Sequence, residues 1–90
     1  PQAQRKLDAQ QRQQLAARLK PVKRALEQTE QRMTALSAEK AALEARLATP
    51  LPPADLADAG RRLKAVGDEL HQLEEQWLAL SGEIETASAL

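Results

Sequence analysis

The chain has 90 residues, which allows at most one domain. It contains no cysteine, which excludes a disulfide framework and a thiolate zinc site, and its formal net charge is zero. The apolar fraction of 42% is nearly all alanine and leucine, with Trp77 as the only aromatic residue, so we expect a long, thin fold without a globular core.

No apolar run approaches the roughly 18 residues that a transmembrane helix needs. The N-terminal residues Gln2, Gln4, Arg5 and Lys6 also lack the apolar centre of a signal peptide. We therefore expect a cytoplasmic protein without a membrane partner. Because the sequence does not begin with methionine, we expect it to be a fragment of a longer protein.

Residues 1–7 are predicted to be a flexible linker, and helix 1 is predicted to follow over about residues 8–48. Asp8 is placed as the N-cap, with Gln11 completing a capping box. Pro21 falls inside this helix, where it removes one backbone hydrogen bond. Because the apolar period continues through Pro21, we expect a bend there and not an end. The seam residues of helix 1 are Leu15, Leu19, Val22, Leu26, Met33, Leu36, Leu43 and Leu47, with polar Thr29 and Lys40 in two seam positions.

Prolines then interrupt the pattern over about residues 48–52, where a turn is predicted. Thr49 ends helix 1, because a residue before proline is pushed out of the helical conformation. Helix 2 is predicted over about residues 53–85, with Pro52 or Pro53 in its first turn. Its seam residues are Leu56, Ala59, Leu63, Val66, Leu70, Leu73, Trp77, Leu80 and Ile84.

Gly60 and Gly67 lie in helix 2 beside its seam. Each weakens a helix by up to about 1 kcal/mol relative to alanine. They are interpreted either as relief for close packing or as soft spots near the tip.

A 3.5-residue apolar period describes helices that each bury one narrow seam against a partner helix. Two such helices joined by a short turn fold back on each other. The predicted fold is therefore all-α, a two-helix antiparallel coiled-coil hairpin over residues 8–90.

The charged residues that flank the seams favour one register of the two helices. In the register with the tighter turn, opposite charges face each other, whereas a slip of one heptad brings like charges together. Each exposed pair stabilises the hairpin by only about a few tenths of a kcal/mol, but all the pairs favour the same register. The predicted pairs are Arg46–Asp55, Glu39–Arg62, Arg32–Glu69, Arg18–Glu83 and Lys23–Glu74.

Basic residues are concentrated in the first half of the chain. Residues 1–48 carry ten basic and five acidic side chains, and residues 49–90 carry three basic and eight acidic ones. This asymmetry either pairs the two helices with each other or presents a basic surface to a polyanion. Binding to a phosphate backbone needs clustered cations and no base-reading geometry. The candidate nucleic-acid-binding residues are Arg5, Lys6, Arg12, Lys20 and Arg24 near the base of helix 1, with Arg61 and Lys64 near the tip.

No catalytic or metal-binding pattern accompanies this cluster. The chain lacks a P-loop, and His71, the only histidine, falls at a solvent-facing heptad position. Adjacent carboxylates such as Glu74 and Glu75 point in different directions around a helix. Trp77 is expected in the seam, so no aromatic residue is available to stack on single-stranded bases. We expect no enzymatic activity, cofactor, metal or small-molecule substrate for this fragment.

Four segments resemble one protein family. Arg5-Lys6-Leu7 and the helix after it resemble the R-K-L-S-x-x-E-Q-R-E-L-E opening of that family's C-terminal domain, and the V-K-R-A-L-E that follows Pro21 resembles its P-x-R-I-x-x-L-E. Residues 39–47 resemble A-A-L-E-A-x-L-x, and residues 70–77 resemble its L-x-x-L-E-x-x-x-x-R-W-E-E-L-E close. The family is the bacterial ABC-F ATPases of the Uup and YheS type, and the resemblance covers nearly the whole chain.

The resemblance implies a function as well as a fold. ABC-F proteins carry two ATP-binding cassettes and no membrane domain, and many act on the ribosome. Their C-terminal extensions are antiparallel coiled coils, and the Uup-type extension is associated with DNA binding. By resemblance, this chain is such an extension, and ATP and Mg belong to the cassettes of the parent ATPase. Its expected partner is nucleic acid, either DNA or ribosomal or transfer RNA, with the ribosome as the setting, and the hairpin is expected to be monomeric.

Two alternatives remain open. The chain could be a docking or spacer arm that contacts the parent ATPase or a ribosomal protein, although such an arm ought to expose more leucines than Leu51 and Leu78 outside the seam. The helical arm of a tRNA synthetase shares the same shape.

Overall fold

Two α-helices account for the architecture of the chain. The computed structural model describes residues 1–89, with α1 at Gln2–Leu47 and α2 at Pro53–Ser88. They pack against each other in a rod that measures 75 × 15 × 14 Å. The predicted all-α helical hairpin is confirmed.

Helix α1 begins at Gln2, so the expected linker over residues 1–7 is helical from its second residue. Asp8 is not an N-cap but an interior residue, whose carboxylate accepts a hydrogen bond from Gln4 Nε2 at 3.2 Å. The physical reason is composition. Residues 2–7 are glutamine, alanine, arginine, lysine and leucine, all of which favour a helix, and no glycine or proline stops them.

Pro21 lies within α1 and does not end it. The residue is exposed to solvent, so its ring does not disturb the packed face. It has no N–H to donate to the carbonyl of Ala17, so one backbone hydrogen bond of α1 is missing there. The expectation that the helix continues through Pro21 is confirmed.

The turn consists of Ala48–Pro52 between the two helices. Thr49 closes the last turn of α1, because both its N–H and its Oγ1 donate to the carbonyl of Arg46, at 3.1 and 2.7 Å. Pro52 has an extended backbone at φ −56° and ψ 149°, and Pro53 opens α2. Helix α2 ends at Ser88, three residues beyond the expected end, because no helix-breaking residue follows Glu85 before that point.

The core is a single seam between the helices. Its most deeply buried side chains are Leu36 and Val66, each 1% exposed. Thr29 is buried too, and its hydroxyl donates to the carbonyl of Ala25 at 2.8 Å, which satisfies the polar group inside the seam. Lys40 extends to solvent toward Glu44, with 3.9 Å between Nζ and Oε1, and Ala59 is buried.

Two ion pairs across the seam establish the register. Arg32 binds Glu69 through two hydrogen bonds, Nε to Oε2 at 2.7 Å and Nη2 to Oε1 at 3.1 Å. Arg62 binds Glu39 in the same bidentate way, with Nη2 to Oε1 at 2.7 Å. Both pairs belong to the predicted register, which is confirmed. The pairs predicted for Arg46–Asp55, Arg18–Glu83 and Lys23–Glu74 do not form among residues 1–89.

Alanine at Gly60 and Gly67 is expected to stabilise the hairpin. A Cβ added at either position meets no atom within 4 Å, so close packing does not require glycine there. Neither glycine has a positive φ, so alanine causes no backbone strain. Each substitution should raise the free energy of unfolding by up to about 1 kcal/mol, measured by urea denaturation followed by circular dichroism.

The matched control is Ala65→Gly, an exposed position of the same helix, which should lower the free energy of unfolding by a similar amount. If Gly67→Ala were destabilising, the interpretation of the glycines as packing relief would be correct after all.

Acid pH is expected to weaken the hairpin through Glu39 and Glu69. Hydrogen bonds from Arg62 and Arg32, respectively, lower the pKa of these two carboxyls below the ordinary glutamate range. A group whose pKa is lowered in the folded state stabilises the fold above its unfolded pKa, and this contribution disappears as the pH falls through the folded pKa. The melting temperature measured by circular dichroism should therefore decrease as the pH falls below the ordinary glutamate pKa.

The double variant Glu39→Gln/Glu69→Gln should have a flatter melting profile over that acid range. Glu85→Gln is the control, because Glu85 makes no ion pair within residues 1–89. A double variant with the same acid dependence as the parent chain would show that these two pairs do not set it.

Candidate nucleic-acid interface

The N-terminal end of α1 extends beyond the end of α2. Helix α1 has 46 residues and α2 has 36, and the turn joins their other ends, so about ten residues of α1 lie uncovered at the base of the hairpin. At 1.5 Å per residue this overhang, residues 2–11, is about 15 Å long. Where α2 ends, the seam positions of α1 change from leucine to Arg5, Asp8 and Arg12.

The five candidate cations at the base lie on one side of α1. Successive residues of an α-helix are about 100° apart around its axis. Viewed along that axis, the five side chains fall within an arc of about 120°, which starts next to the seam and extends away from α2. All five are exposed to solvent. Lys23 lies on the same arc and is also exposed. We call this set the basic stripe, and its members are Arg5, Lys6, Arg12, Lys20, Lys23 and Arg24.

None of the stripe residues forms an ion pair within residues 1–89. One explanation of the basic surplus was that it pairs α1 with the acidic end of α2, and the structure does not support it for these side chains. The first 24 residues carry seven basic side chains against Asp8 alone, so the base of α1 is strongly positive. The stripe can therefore offer several flexible cations to an anionic partner at once.

Lys23 is the residue that sequence reasoning assigned differently. It was expected to pair with Glu74 across the seam, and the structure leaves it on the exposed side with the other cations. Lys20 and Arg24 flank Lys23 in the sequence and lie on the same arc of α1.

The two cations near the tip differ from those at the base. Arg61 is bound by Asp58, and Lys64 Nζ lies 3.2 Å from Asp68 Oδ2, each pair within one turn of α2. Their positive charges are therefore compensated locally. The structure narrows the candidate interface to the basic stripe and leaves the tip as a weaker candidate.

His71 and Trp77 also have polar partners in the structure. His71 pairs with Glu75, with 3.3 Å between Nε2 and Oε1, on the solvent side of α2. Trp77 is half-buried, and its indole N–H donates to Glu30 Oε1 at 3.1 Å. Residues 1–89 contain no group of three His, Cys, Asp or Glu side chains that could hold a metal ion.

Within the described part of the chain, neither helix combines the length and the apolar character required to cross a bilayer.

The comparison with protein families gives a match for most of the chain. The family model described as ABC transporter C-terminal domain matches residues 19–82, which include the turn and most of α2. The match contains Lys20, Lys23 and Arg24 and leaves out the overhang. No curated protein and no solved structure matches the chain. The family match confirms the resemblance drawn from the sequence.

Proposed function

The chain belongs to the ABC transporter C-terminal domain family, and we propose that it is the non-catalytic, nucleic-acid-binding C-terminal domain of an ABC-F type ATP-binding protein. ATP and Mg would belong to the cassettes of the parent protein, in the cytoplasm. The ligand would be DNA or ribosomal or transfer RNA, held by the basic side chains at the base of α1, and the hairpin would act as a monomer.

One observation carries this proposal. Six exposed cations lie along one side of α1, and no acidic side chain within residues 1–89 forms an ion pair with any of them. Clustered, unpaired surface cations attract a polyanion, because their binding releases the counterions that are condensed on its phosphates. The contacts would position the ligand without reading its sequence.

The docking-arm alternative has less support. A docking arm requires a contiguous apolar surface, whereas the large exposed apolar side chains are Leu7, Leu56 and Leu78, which lie at the base, at the tip and between them. Leu51, in the turn, is half-buried. Isolated exposed leucines are ordinary on a protein surface and do not mark an interface.

Neutralising two stripe residues is expected to weaken nucleic-acid binding. In Lys20→Gln/Arg24→Gln, two phosphate contacts are lost, so affinity should fall at least about tenfold at moderate salt. The slope of log K against log salt should become shallower by about two, since each phosphate contact contributes about one. The measurement is fluorescence anisotropy of labelled duplex DNA and ribosomal RNA over a salt series.

Arg61→Gln/Lys64→Gln is the matched control, because it removes the same charge from cations that already have acidic partners. It should change the affinity less than threefold. Equal effects of the two double variants would place binding elsewhere than the stripe. If the unaltered 90-residue chain bound neither polymer at low salt, nucleic-acid binding would be rejected and the docking arm would be preferred.

A further inference from the structure

We propose that the hairpin has a joint near its base, where Pro21 in α1 and the pair Ser81-Gly82 in α2 allow the two sides of the joint to bend relative to each other. We call residues 2–16 and 83–88 the base side and residues 22–80 the tip side. This inference goes beyond the proposed function, because the joint belongs to the fold and does not depend on what the hairpin binds.

Helix α1 is weakened in one turn. Pro21 lies inside the helix and has no N–H, so the carbonyl of Ala17 lacks its helical hydrogen bond. Sharp bends in helices have few causes, and proline is one of them because its ring also clashes with the preceding turn. No other proline and no glycine occurs in α1. The turn at residues 17–21 is therefore the position where α1 bends most easily.

Helix α2 has a second bending element, Ser81-Gly82, at the same level of the hairpin. Gly82 lines one open cavity of about 410 Å³ together with Arg18 and Leu19, which belong to the weakened turn of α1. A pair of glycine and serine is, like proline, a typical position of helix kinks. A Cβ added at Gly82 would meet no atom within 4 Å, so packing does not require glycine there. Both helices are thus weakened side by side.

The polar contacts between the helices all lie on the tip side. They are Arg32–Glu69, Glu39–Arg62 and Trp77–Glu30. Within residues 1–89, no hydrogen bond or ion pair joins residues 2–29 of α1 to α2 through any other contact. Directional bonds therefore tie the helices together on the tip side, whereas non-directional apolar contacts hold them on the base side.

Leu19 keeps the helices together at the joint itself. Its side chain is only 5% exposed and belongs to the weakened turn between Ala17 and Pro21. Because an apolar contact has no preferred direction, the helices can tilt about Leu19 without losing it. The open cavity beside Leu19 leaves room for this tilt. Bending does not change the rise per residue, so the register of the two helices is preserved.

The joint falls within the basic stripe. Three of the six cations precede it on α1, and three lie beside it or on the tip side. The first group is Arg5, Lys6 and Arg12, and the second is Lys20, Lys23 and Arg24. A bend changes the distance and the angle between the two groups. The joint thereby decides whether the stripe is straight or curved.

Residual dipolar couplings of the backbone amides test the joint, with the whole 90-residue chain aligned in a stretched, uncharged polyacrylamide gel. Couplings from a rigid rod fit a single alignment tensor, whereas bending reduces the alignment of the smaller side. The alignment of the base side should be weaker than that of the tip side by at least about one fifth. A single tensor that fits both sides equally well would overturn the joint.

The variant Pro21→Ala/Gly82→Ala should remove the difference in alignment between the two sides. Alanine restores the hydrogen bond to the carbonyl of Ala17 and raises the helix propensity of both turns. Gly67→Ala is the matched control, because Gly67 lies within the tip side of α2 and a Cβ there also meets no atom within 4 Å. The control should leave the difference in place.

Two further outcomes would contradict the assignment of the joint to these residues. If the double variant kept the difference in alignment, the motion would come from fraying of the base. If Gly67→Ala removed the difference as well, general stabilisation of α2 would explain the effect of the double variant. Melting curves by circular dichroism establish that both variants are folded. No nucleic acid is present in these measurements, so their result leaves the proposed function untouched.

Discussion

The structure depends on the burial of one apolar seam between two helices. A chain with a single aromatic residue and mostly alanine and leucine as apolar residues can close only a narrow interface. Leu36 and Val66 are nearly inaccessible to solvent, whereas most other positions are exposed or half-buried. Because each helix buries only a stripe, its outer surface carries charges at little cost to the fold. This freedom is what permits a dense row of cations on α1.

The register of the seam also decides which cations are uncovered. The ion pairs Arg32–Glu69 and Glu39–Arg62 lie in the middle of the hairpin, far from the base. They nevertheless fix where α2 ends relative to α1, since each helix has a fixed rise per residue. A slip of one heptad would move the end of α2 by about 10 Å along α1. The position of the stripe beyond and beside α2 is therefore set by contacts made in the middle of the hairpin.

Much of this fold could be predicted because its signals are local and repeated. The apolar period, the prolines of the turn and the signs of facing charges each specify the hairpin independently. The start of α1 could not be predicted from the cap at Asp8, because six residues with good helix propensity precede it and outweigh the capping signal. Three expected cross-helix pairs, including Lys23–Glu74, do not form, since an exposed pair gains too little to order two long side chains.

The candidate site was predicted less well than the fold, and the reason is again physical. Arg61 and Lys64 have no acidic partner across the seam in the predicted register, but Asp58 and Asp68 lie within one turn of them on their own helix. Asp58 and Asp68 are three and four residues from these cations, the spacing at which side chains on one helix meet. A count of cations therefore overstates the positive surface at the tip.

Net charge is a poor guide to what this surface attracts. The whole chain is neutral, yet residues 1–24 carry seven basic side chains against Asp8 alone, so a ligand at the N-terminal end of α1 meets mostly cations within a Debye length, about 8 Å at physiological salt. It therefore responds mainly to these nearby cations, while carboxylates of α2 farther than a Debye length are screened. The same screening makes the attraction between the stripe and its partner short-ranged. A partner is therefore bound well only if its shape places many negative charges close to the stripe at the same time. A rigid polyanion meets that condition, and a small anion does not.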